Sequence, residues 1–547
     1  MIKRLFSGQI NSITIAAFLV ALSSLVSRFL GIFRDRILAG EFGAGDTLDI
    51  YLAAFRIPDL MFNLLVLGAL SAGFIPIFTN LVKNKDCKKE NTFFKKSNRE
   101  AWELASNVLN ILVIGLIAIS LIGIIFAPAL MKFIVPGFSP DKQELTVVLT
   151  RIMFLSPIFL GISSILGGIL QSFKRFFVYS LSPIMYNIGI ILGALYFVPI
   201  WGVVGLAYGV VLGAILHMFI QVPAVFHLGF RFKIAINFKS KELRKIVKMM
   251  VPRTMSLAIT QINLLVITIV ASTLASGSLT VFNFANNLQS FPIGVFGISF
   301  AIAAFPTLSS IAFDKKKLIN NFSNVFRQIL FFIVPSTVLL LTLRAQLIRV
   351  IYGAGLFDWQ DTTLTMETLG FFAISLFAQA SMPLLVRVFY ARHNSKTPFI
   401  VGLISALFNV VLSFSLAPKM GVAGLALAFS IANIINFVLL WLSLRIELGN
   451  MDEFRILIST IKFTSAAVVC GVAVQVMKLV IWPYVDMTKF WGVFSQGFVA
   501  GIFGLFIYFV FCFLLGSEEL IDFWESLKRR LSKKKMETID RGEARGI

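Results

Sequence analysis

The sequence predicts an all-α polytopic membrane protein with fourteen transmembrane helices, and three observations carry that expectation. Of 547 residues, 58% are hydrophobic and 14% charged, and the mean hydropathy is +0.88. The apolar residues fall in runs of about twenty, the length that crosses a bilayer core as helix. The basic residues concentrate in alternate loops, as positive-inside topology requires. A barrel is disfavoured because the alternating pattern of its strands is absent.

The apolar segments lie near 12–36, 48–81, 102–127, 146–170, 177–198, 203–226, 247–274, 279–310, 325–343, 364–388, 398–416, 422–445, 458–480 and 491–515. Lys3 and Arg4 precede the first, which is too long for a signal peptide and has no small-residue cleavage site, so an uncleaved span is expected. Basic loops follow the even spans: Lys83 to Arg99, Lys174-Arg175, Arg231 to Lys248, Lys315-Lys316-Lys317, Arg392 with Lys396, and the tail with Lys528-Arg529-Arg530. The intervening loops (Glu41 to Asp46, Pro136 to Glu144, Ser276-Gly277-Ser278, Asp358 to Glu367) are poor in base. Both termini are therefore expected in the cytoplasm. Lys83 to Arg99 and Arg231 to Lys248 have amphipathic stretches suited to an anionic leaflet, and the last thirty residues read as a surface helix.

Pro199-Ile200-Trp201-Gly202-Val203-Val204-Gly205-Leu206-Ala207 recurs as Pro418-Lys419-Met420-Gly421-Val422-Ala423-Gly424-Leu425-Ala426. Each copy follows a span opened by Ser182-Pro183 or Thr397-Pro398. A weaker echo pairs Pro58 and Pro76 with Pro292 and Pro306. A duplicated six-span unit follows, with lobes over 1–230 and 231–450, two added helices over 451–515 and a cytoplasmic tail over 516–547. Repeats of this kind place a transport site at their interface.

The formal charge of +22 is dispersed in short loops, which argues for topology rather than nucleic-acid binding. Cys87, Cys470 and Cys512 show no disulfide or zinc spacing. No GxxxxGK[ST] loop is present, and no carboxylate or histidine cluster suits a membrane phosphatase or glycosyltransferase. The chain is expected to be a carrier, not an enzyme, and to need no cofactor. Asn263, Asn409 and Ser413 are the polar candidates in spans seven and eleven, too weak for a sodium site, because hard cations want carboxylate oxygen. His217 and His227 read as packed or interfacial histidines.

The stretch Ser27 to Arg36 carries Arg28, Arg34, Asp35 and Arg36 on an apolar run, followed by Asp49 and Arg56. An arginine at mid-membrane costs about 2.5–3.5 kcal/mol, so such residues persist where they line a wet cavity, pair, or meet an ionic substrate. Arg28 and Asp35, and again Asp49 and Arg56, are seven apart and share a helix face. That spacing suggests a ladder in which Asp35 and Asp49 neutralise arginines until an anion replaces them.

Ser27-Arg28-Phe29-Leu30-Gly31-Ile32-Phe33-Arg34-Asp35, Phe42-Gly43-Ala44-Gly45, Asp49 and Ala54-Phe55-Arg56-Ile57-Pro58 resemble the amino-terminal signature of the MurJ/MviN family. Gly68-Ala69, Phe74-Ile75-Pro76, Pro136-Gly137-Phe138, Arg151-Ile152-Met153, Phe389-Tyr390-Ala391-Arg392 and Lys396-Thr397-Pro398 extend the resemblance along the chain. These are lipid II flippases of the multidrug/oligosaccharidyl-lipid/polysaccharide exporter superfamily. The resemblance implies two six-helix lobes around a cavity and two further helices forming a lipid-tail groove. It implies alternating access in a bacterial cytoplasmic membrane, membrane lipids and lipid II or a related polyprenyl-diphosphate glycolipid as partners, and action as a monomer.

Arginine suits a diphosphate because its fork donates two parallel hydrogen bonds and stays charged. Arg28, Arg34 and Asp49 match positions the family associates with function, and Asp35 and Arg56 join them by motif. The expected substrate-binding set is Arg28, Arg34, Arg56, Asn63, Asn286 and Asn287, with Asp35, Asp49 and Asp59 in charge exchange or gating. The family usually has an arginine pair and a glutamate where Phe62, Asn63 and Leu67 stand here. Its eighth helix usually has an Asp-Arg pair and a glutamate before Phe-Pro, against Ala285-Asn286-Asn287-Leu288-Gln289-Ser290 here. Either Arg56 and Arg253 take over the diphosphate, or the cargo differs. The alternatives are another polyprenyl-diphosphate oligosaccharide, a drug or cation exporter, or a non-transporting scaffold.

Overall fold

In the computed structural model every regular element among the described residues is helical. The structure describes residues 13–67, 73–83, 92–234 and 236–531. Lys3, Arg4, Gly68-Ala69, Cys87, much of the basic loop before Arg99 and the tail beyond 531 lie outside the described residues, as do the side chains of Leu67 and Arg253.

The first half runs α1 (Ile13–Phe42), α2 (Asp46–Ala54), α3 (Arg56–Phe62), α4 (Ile75–Lys83), α5 (Thr92–Ile134), α6 (Pro140–Met153), α7 (Ser156–Ser172), α8 (Phe176–Leu192), α9 (Val198–Trp201), α10 (Val204–Phe219) and α11 (Val222–His227). The second runs α12 (Lys241–Ser272), α13 (Ser278–Pro292), α14 (Ser299–Ser310), α15 (Lys315–Thr342), α16 (Arg344–Ile351), α17 (Trp359–Ala373), α18 (Leu376–Ala391), α19 (Lys396–Leu448), α20 (Glu453–Ile481), α21 (Phe490–Leu514) and α22 (Glu518–Leu531). Among the described residues nine helical stretches are long and apolar enough to span a membrane. A tenth is added if α17 and α18, bent by 46° at their junction, count as one. The 53-residue α19 covers two expected segments, because Gly421 (φ 60°, ψ −142°) breaks it between them.

The duplication is visible in backbone conformation. Gly202 takes φ 61° and ψ −151°, almost the values of Gly421, a region open to glycine because it has no Cβ. A Cβ on Gly205 would collide with the backbone of Phe197, and one on Gly424 with that of Leu416. Lys174 (φ 57°) and His393 (φ 59°) turn the chain the same way after α7 and α18. Each of these pairs is separated by the same distance in sequence, so the sixth- and twelfth-segment entries and the preceding turns are copies. The echo of Pro58 with Pro292 also has a counterpart: π-helical turns follow both, at Asn63–Leu67 and Ile293–Ile298.

By compactness the chain forms two units, 1–283 with 351–362 and 410–425, and 284–350 with 363–409 and 426–547. The first thus carries the expected amino-terminal lobe (1–230) together with α12 and the start of α13. Within it, α8 packs on α1 and α10. The α8–α10 seam is glycine on glycine: a Cβ on Gly193 would collide with Gly209 Cα, and one on Gly189 with Gly213 Cα. Small residues let membrane helices approach closely where no hydrophobic force joins them. His217 is a packed histidine, its Nδ1 2.6 Å from Ser163 Oγ and its ring edge-on to Tyr186.

The core of the second unit is aromatic and aliphatic. Phe331, Phe463 and Tyr508 join α15, α20 and α21, and the Tyr508 hydroxyl donates to Phe331 O at 2.7 Å. Cys470 and Cys512 are buried thiols in this packing.

Gly209→Val forces the α8–α10 seam apart and costs about 1–3 kcal/mol, the usual price of overpacking. A lowered thermal midpoint of the purified protein in detergent checks it. Gly115→Ala, where the added methyl meets open space, leaves the midpoint unchanged.

Candidate functional site

The charged residues from Arg34 to Asp59 fall into two groups. The first is a clasp around the α1–α2 turn. Gly43 ends α1 with φ +62°, so the chain reverses and α2 starts at Asp46. Asp49, one turn into α2 and 3% exposed, accepts from Gly277 N at 2.8 Å, Thr280 N at 2.8 Å and Thr280 Oγ1 at 2.7 Å. The α12–α13 turn therefore closes on one buried carboxylate, which needs such donors to remain in a protein interior. Gly277 has φ +84°, and a Cβ there would collide with Ala44 O. Asp46 binds Lys142 Nζ at 2.5 Å and accepts from Ser276 Oγ.

The loop before α17 joins the same clasp. Ala44 N donates to Asp361 Oδ2 at 2.9 Å, and Leu356 N to Gly40 O at 2.8 Å. The repeat shows here too. A Cβ on Gly355 would strike Gly40 at the end of α1, and one on Gly137 would strike Ser272 at the end of α12. Equivalent loops thus press on equivalent helix ends.

The second group centres on guanidinium groups. Arg34 Nε and Nη2 donate to Asp35 Oδ1 at 2.9 and 2.7 Å, and Nη1 donates to Asn187 Oδ1 at 3.0 Å. Arg56 Nε donates to Thr268 Oγ1 at 2.7 Å and Nη2 to Asn283 Oδ1 at 3.3 Å, both neutral oxygens. Tyr51 and Tyr186 each lie within electrostatic reach of both Arg34 and Asp59, and Asp59 within reach of Arg56. Arg34, Asp35, Arg56 and Asp59 therefore belong to one neighbourhood. Asp59 is exposed, and its backbone carbonyl accepts from Asn63 Nδ2 at 2.8 Å. Arg28 is exposed and forms no ion pair among the described residues.

The ladder expected from seven-residue spacing is not what forms. Residues seven apart on a helix are separated by about 10.5 Å of rise, too far for direct contact. Asp35 instead pairs with its neighbour Arg34, and Asp49 turns away from Arg56 to the α12–α13 turn. The sequence reading missed Asn187, Thr268, Thr280 and Asn283. Their one signal was a polar side chain within an apolar segment.

In the second unit, Asn286 Oδ1 accepts from Gln289 Nε2 at 3.0 Å, and Gln289 Oε1 accepts from Gln379 Nε2 at 2.9 Å. Gln379 Nε2 also donates to Ser375 Oγ, which donates to Ser430 Oγ. Asn287 is exposed on the same helix. A neutral polar chain thus occupies the helix where charged residues were expected by resemblance.

The same unit holds an apolar groove of about 610 Å³. Phe326 and Leu330 of α15, Phe377 of α18, Trp441 of α19, and Ile456 and Thr460 of α20 are among its lining residues. α21 packs on α20 and lends the groove no lining residue.

The family model described as "Lipid II flippase MurJ" matches residues 38–495. The chain belongs to the lipid II flippase MurJ family. It is 30% identical over 430 residues to the probable lipid II flippase MurJ of Buchnera aphidicola subsp. Schizaphis graminum, covering 77% of this chain and 81% of that one. It is 28% identical over 509 residues to the Vibrio cholerae counterpart, covering 91% and 95%. A solved structure of lipid II flippase MurJ in an inward closed conformation aligns with TM-score 0.73 and 25% identity over 94% of this chain and 100% of that one. An inward-facing MATE family transporter of the MOP superfamily aligns at 0.64 and 15% identity over 80% and 99%, a likeness of fold.

Breaking the clasp is measurable with a cysteine placed at buried Ala44 in a background lacking the native cysteines. Asp49→Asn turns one acceptor into a donor facing backbone N–H groups, and Gly277→Ala cannot keep its turn. Each raises labelling by a membrane-impermeant maleimide about fivefold or more, the shift that about 1 kcal/mol or more produces.

Acid should open the clasp through Asp46. Its partial burial is outweighed by hydrogen bonds from Lys142 and Ser276 and by the lysine charge, which hold the carboxyl below its ordinary 3.8. A depressed folded value stabilises above the unfolded value and is lost as pH falls through the folded one. The contribution of Asp46, read as the difference in thermal midpoint between wild type and Asp46→Asn, is therefore constant from neutral pH down to that range and is lost below it.

Proposed function

We propose that this chain moves lipid II, the lipid-linked peptidoglycan precursor, from the cytoplasmic to the outer leaflet of a bacterial inner membrane by alternating access. The observation that carries the reading is Arg56, a guanidinium within the membrane region held by neutral oxygens, in one neighbourhood with Arg34. A charge kept there, hydrogen-bonded only to neutral oxygens and with Asp59 within electrostatic reach, is poised for an anion that comes and goes. In this reading Arg28, exposed on α1, meets the diphosphate first. Arg34 takes it by exchanging away from Asp35, and Arg56 by leaving Thr268 and Asn283. Asp59, accessible beside Arg56, offsets its charge when the site is empty.

Asp49 has the gating role. Its three hydrogen bonds keep the α1–α2 and α12–α13 turns together, so the outer end stays shut while the cargo loads from inside. The groove beside α20 takes the polyprenyl tail, which keeps its hydrocarbon out of water while the head crosses a polar region. Both termini are cytoplasmic in this reading, as the basic loops require.

The neutral chain Asn286–Gln289–Gln379–Ser375–Ser430 favours a second reading, a flippase for another polyprenyl-diphosphate oligosaccharide. Amides recognise sugar hydroxyls and add no charge toward phosphate. Binding of lipid II against other polyprenyl-linked glycans separates the two.

Complementation in cells depleted of their own lipid II flippase tests the transport site. Arg28→Ala, Arg34→Ala and Arg56→Ala each abolish growth while the protein stays in the membrane. Arg34→Lys fails as well, because an ammonium cannot supply the paired donors. Wild-type growth on Arg28→Ala removes that residue from the site.

A further inference from the structure

A second ionic cluster, unrelated in sequence to the first, is built from residues next in sequence to the groove lining. Arg327 directly follows groove residue Phe326, and Arg455 directly precedes groove residue Ile456. Ser459 sits beside groove residue Thr460. These groups converge on the first turn of α22. Arg455 Nη2 donates to Glu518 Oε2 at 2.6 Å, and Arg327 Nη1 lies 3.4 Å from the same oxygen. Arg327 Nη1 also pairs with Glu519, which accepts from Ser459 Oγ and Ser517 Oγ at 2.9 Å each.

The two glutamates are not equivalent. Glu519 has a side chain 3% exposed and is enclosed by its partners, so it anchors the helix. Glu518 is 59% exposed and is held from one side by two guanidinium groups. The hydrogen bond from Arg455, opposed by slight burial and helped by both arginine charges, keeps its carboxyl below the ordinary glutamate range, so it is a full anion at neutral pH. Arg327, with 4% of its side chain exposed, still has a buried Nε that donates to no acceptor among the described residues. The arginine pair therefore has donor capacity that its present partners do not use.

A forked cationic site on the helices that line an apolar slot matches an amphiphile whose anion terminates a hydrocarbon chain. Arginine pairs bind phosphate oxygens in the same geometry as carboxylate oxygens. The helix bearing the present occupant is suited to leave. α22 is amphipathic, with Ile521 and Trp524 more than half exposed, and Phe523 packs edge-on against Phe332. Such a helix can lie on a membrane surface when its first turn is released.

We propose that Arg327 and Arg455, with Ser459, form a second phosphate-binding site, for the phosphate end of a polyprenyl lipid whose tail lies in the groove, and that Glu518 occupies this site in the empty protein. The proposal rests on reading the groove as a tail slot, and it adds a loading station separate from the Arg34–Arg56 neighbourhood. Arriving lipid phosphate displaces Glu518 from Arg455, and Glu519 retains its hold on Arg327. α22 then becomes a reporter of loading, its exposed half freed toward the membrane.

The test uses the full-length chain in detergent, carrying Arg34→Ala and Arg56→Ala so that the first neighbourhood does not contribute. Farnesyl diphosphate, inorganic pyrophosphate and farnesol are the probes. Glu518→Gln removes the competing anion and tightens farnesyl diphosphate binding about fivefold, whereas Arg455→Gln weakens it about tenfold, as loss of a charge-assisted hydrogen bond predicts. Pyrophosphate and farnesol each bind at least about tenfold more weakly than the joined molecule, since each has half of the contacts.

Farnesyl diphosphate also speeds tryptic cleavage at Lys528 in the wild-type protein. An unchanged affinity in Glu518→Gln overturns the proposal, as does pyrophosphate binding as tightly as farnesyl diphosphate, which would mark a free-phosphate site. Cleavage at Lys528 that ignores the lipid overturns the displacement step. The transport reading stands or falls separately, on growth supported by the Arg34 and Arg56 variants.

Discussion

The Asp49 carboxylate is the constraint on which the arrangement of the first unit depends. A buried acid with three short hydrogen bonds fixes both partners of each bond. Two of the three donors are backbone N–H groups at the start of α13, so the acid reads the conformation of a turn rather than a side chain. That turn exists because Gly277 takes a left-handed φ and lets Ala44 approach it. Removing the charge or adding one methyl therefore attacks the same joint from opposite sides. Loss of an acceptor would leave buried donors unsatisfied, which is expensive away from water. A joint of this kind is strong when closed and has a defined way to fail, which is what a gate needs.

The guanidinium neighbourhood follows the opposite logic. Arg34 shares one acid with an amide, and Arg56 is held by a hydroxyl and an amide. Neutral partners solvate a cation without cancelling it. A site built only from permanent ion pairs would resist an incoming anion, because each pair must be broken at full electrostatic cost. A site of bare arginines would not stay in an apolar interior. Hydroxyls and amides give an intermediate arrangement in which exchange costs little. Asn187, Thr268 and Asn283 are therefore as much a part of the chemistry as the arginines they hold.

Much of this was legible in the sequence, in uneven measure. Composition and span length announced a helical membrane protein, and the GVxGLA repeat announced a duplication. The backbone at Gly202 and Gly421 has the same conformation in the two copies of that repeat. The charged stretch from Arg28 to Arg56 was visible because ionisable residues stand out in apolar runs. Their partners were not. Helical spacing said which residues share a face, but it could not say that Asp35 folds back on Arg34 or that Asp49 looks to a turn more than two hundred residues away. Side chains such as Thr268 and Asn283 carry no charge, so nothing in the sequence marks them as partners of an arginine. The groove expected at segments thirteen and fourteen came from the family resemblance, composition showing only two further apolar helices. Its walls come from α15, α17, α18, α19 and α20, a division that depends on packing and not on pattern.

The neutral eighth segment bears on cargo choice. By resemblance, an arginine and two acids were expected before Phe291-Pro292, and Asn286, Asn287 and Gln289 stand there instead. Replacing them together removes both signs of charge, and with the arginine goes the capacity to grip a phosphate there. What remains is a row of amide groups linked to Gln379 and Ser375. Amides discriminate by geometry, through paired donors and acceptors, and are matched to hydroxyls and peptide groups. Under the transport reading proposed above, phosphate binding would fall to the first-unit arginines and head-group selection to hydrogen bonding. A protein organised this way would lose affinity broadly when Arg34 or Arg56 is removed, but would change its preference among glycans when Gln289 or Gln379 is altered.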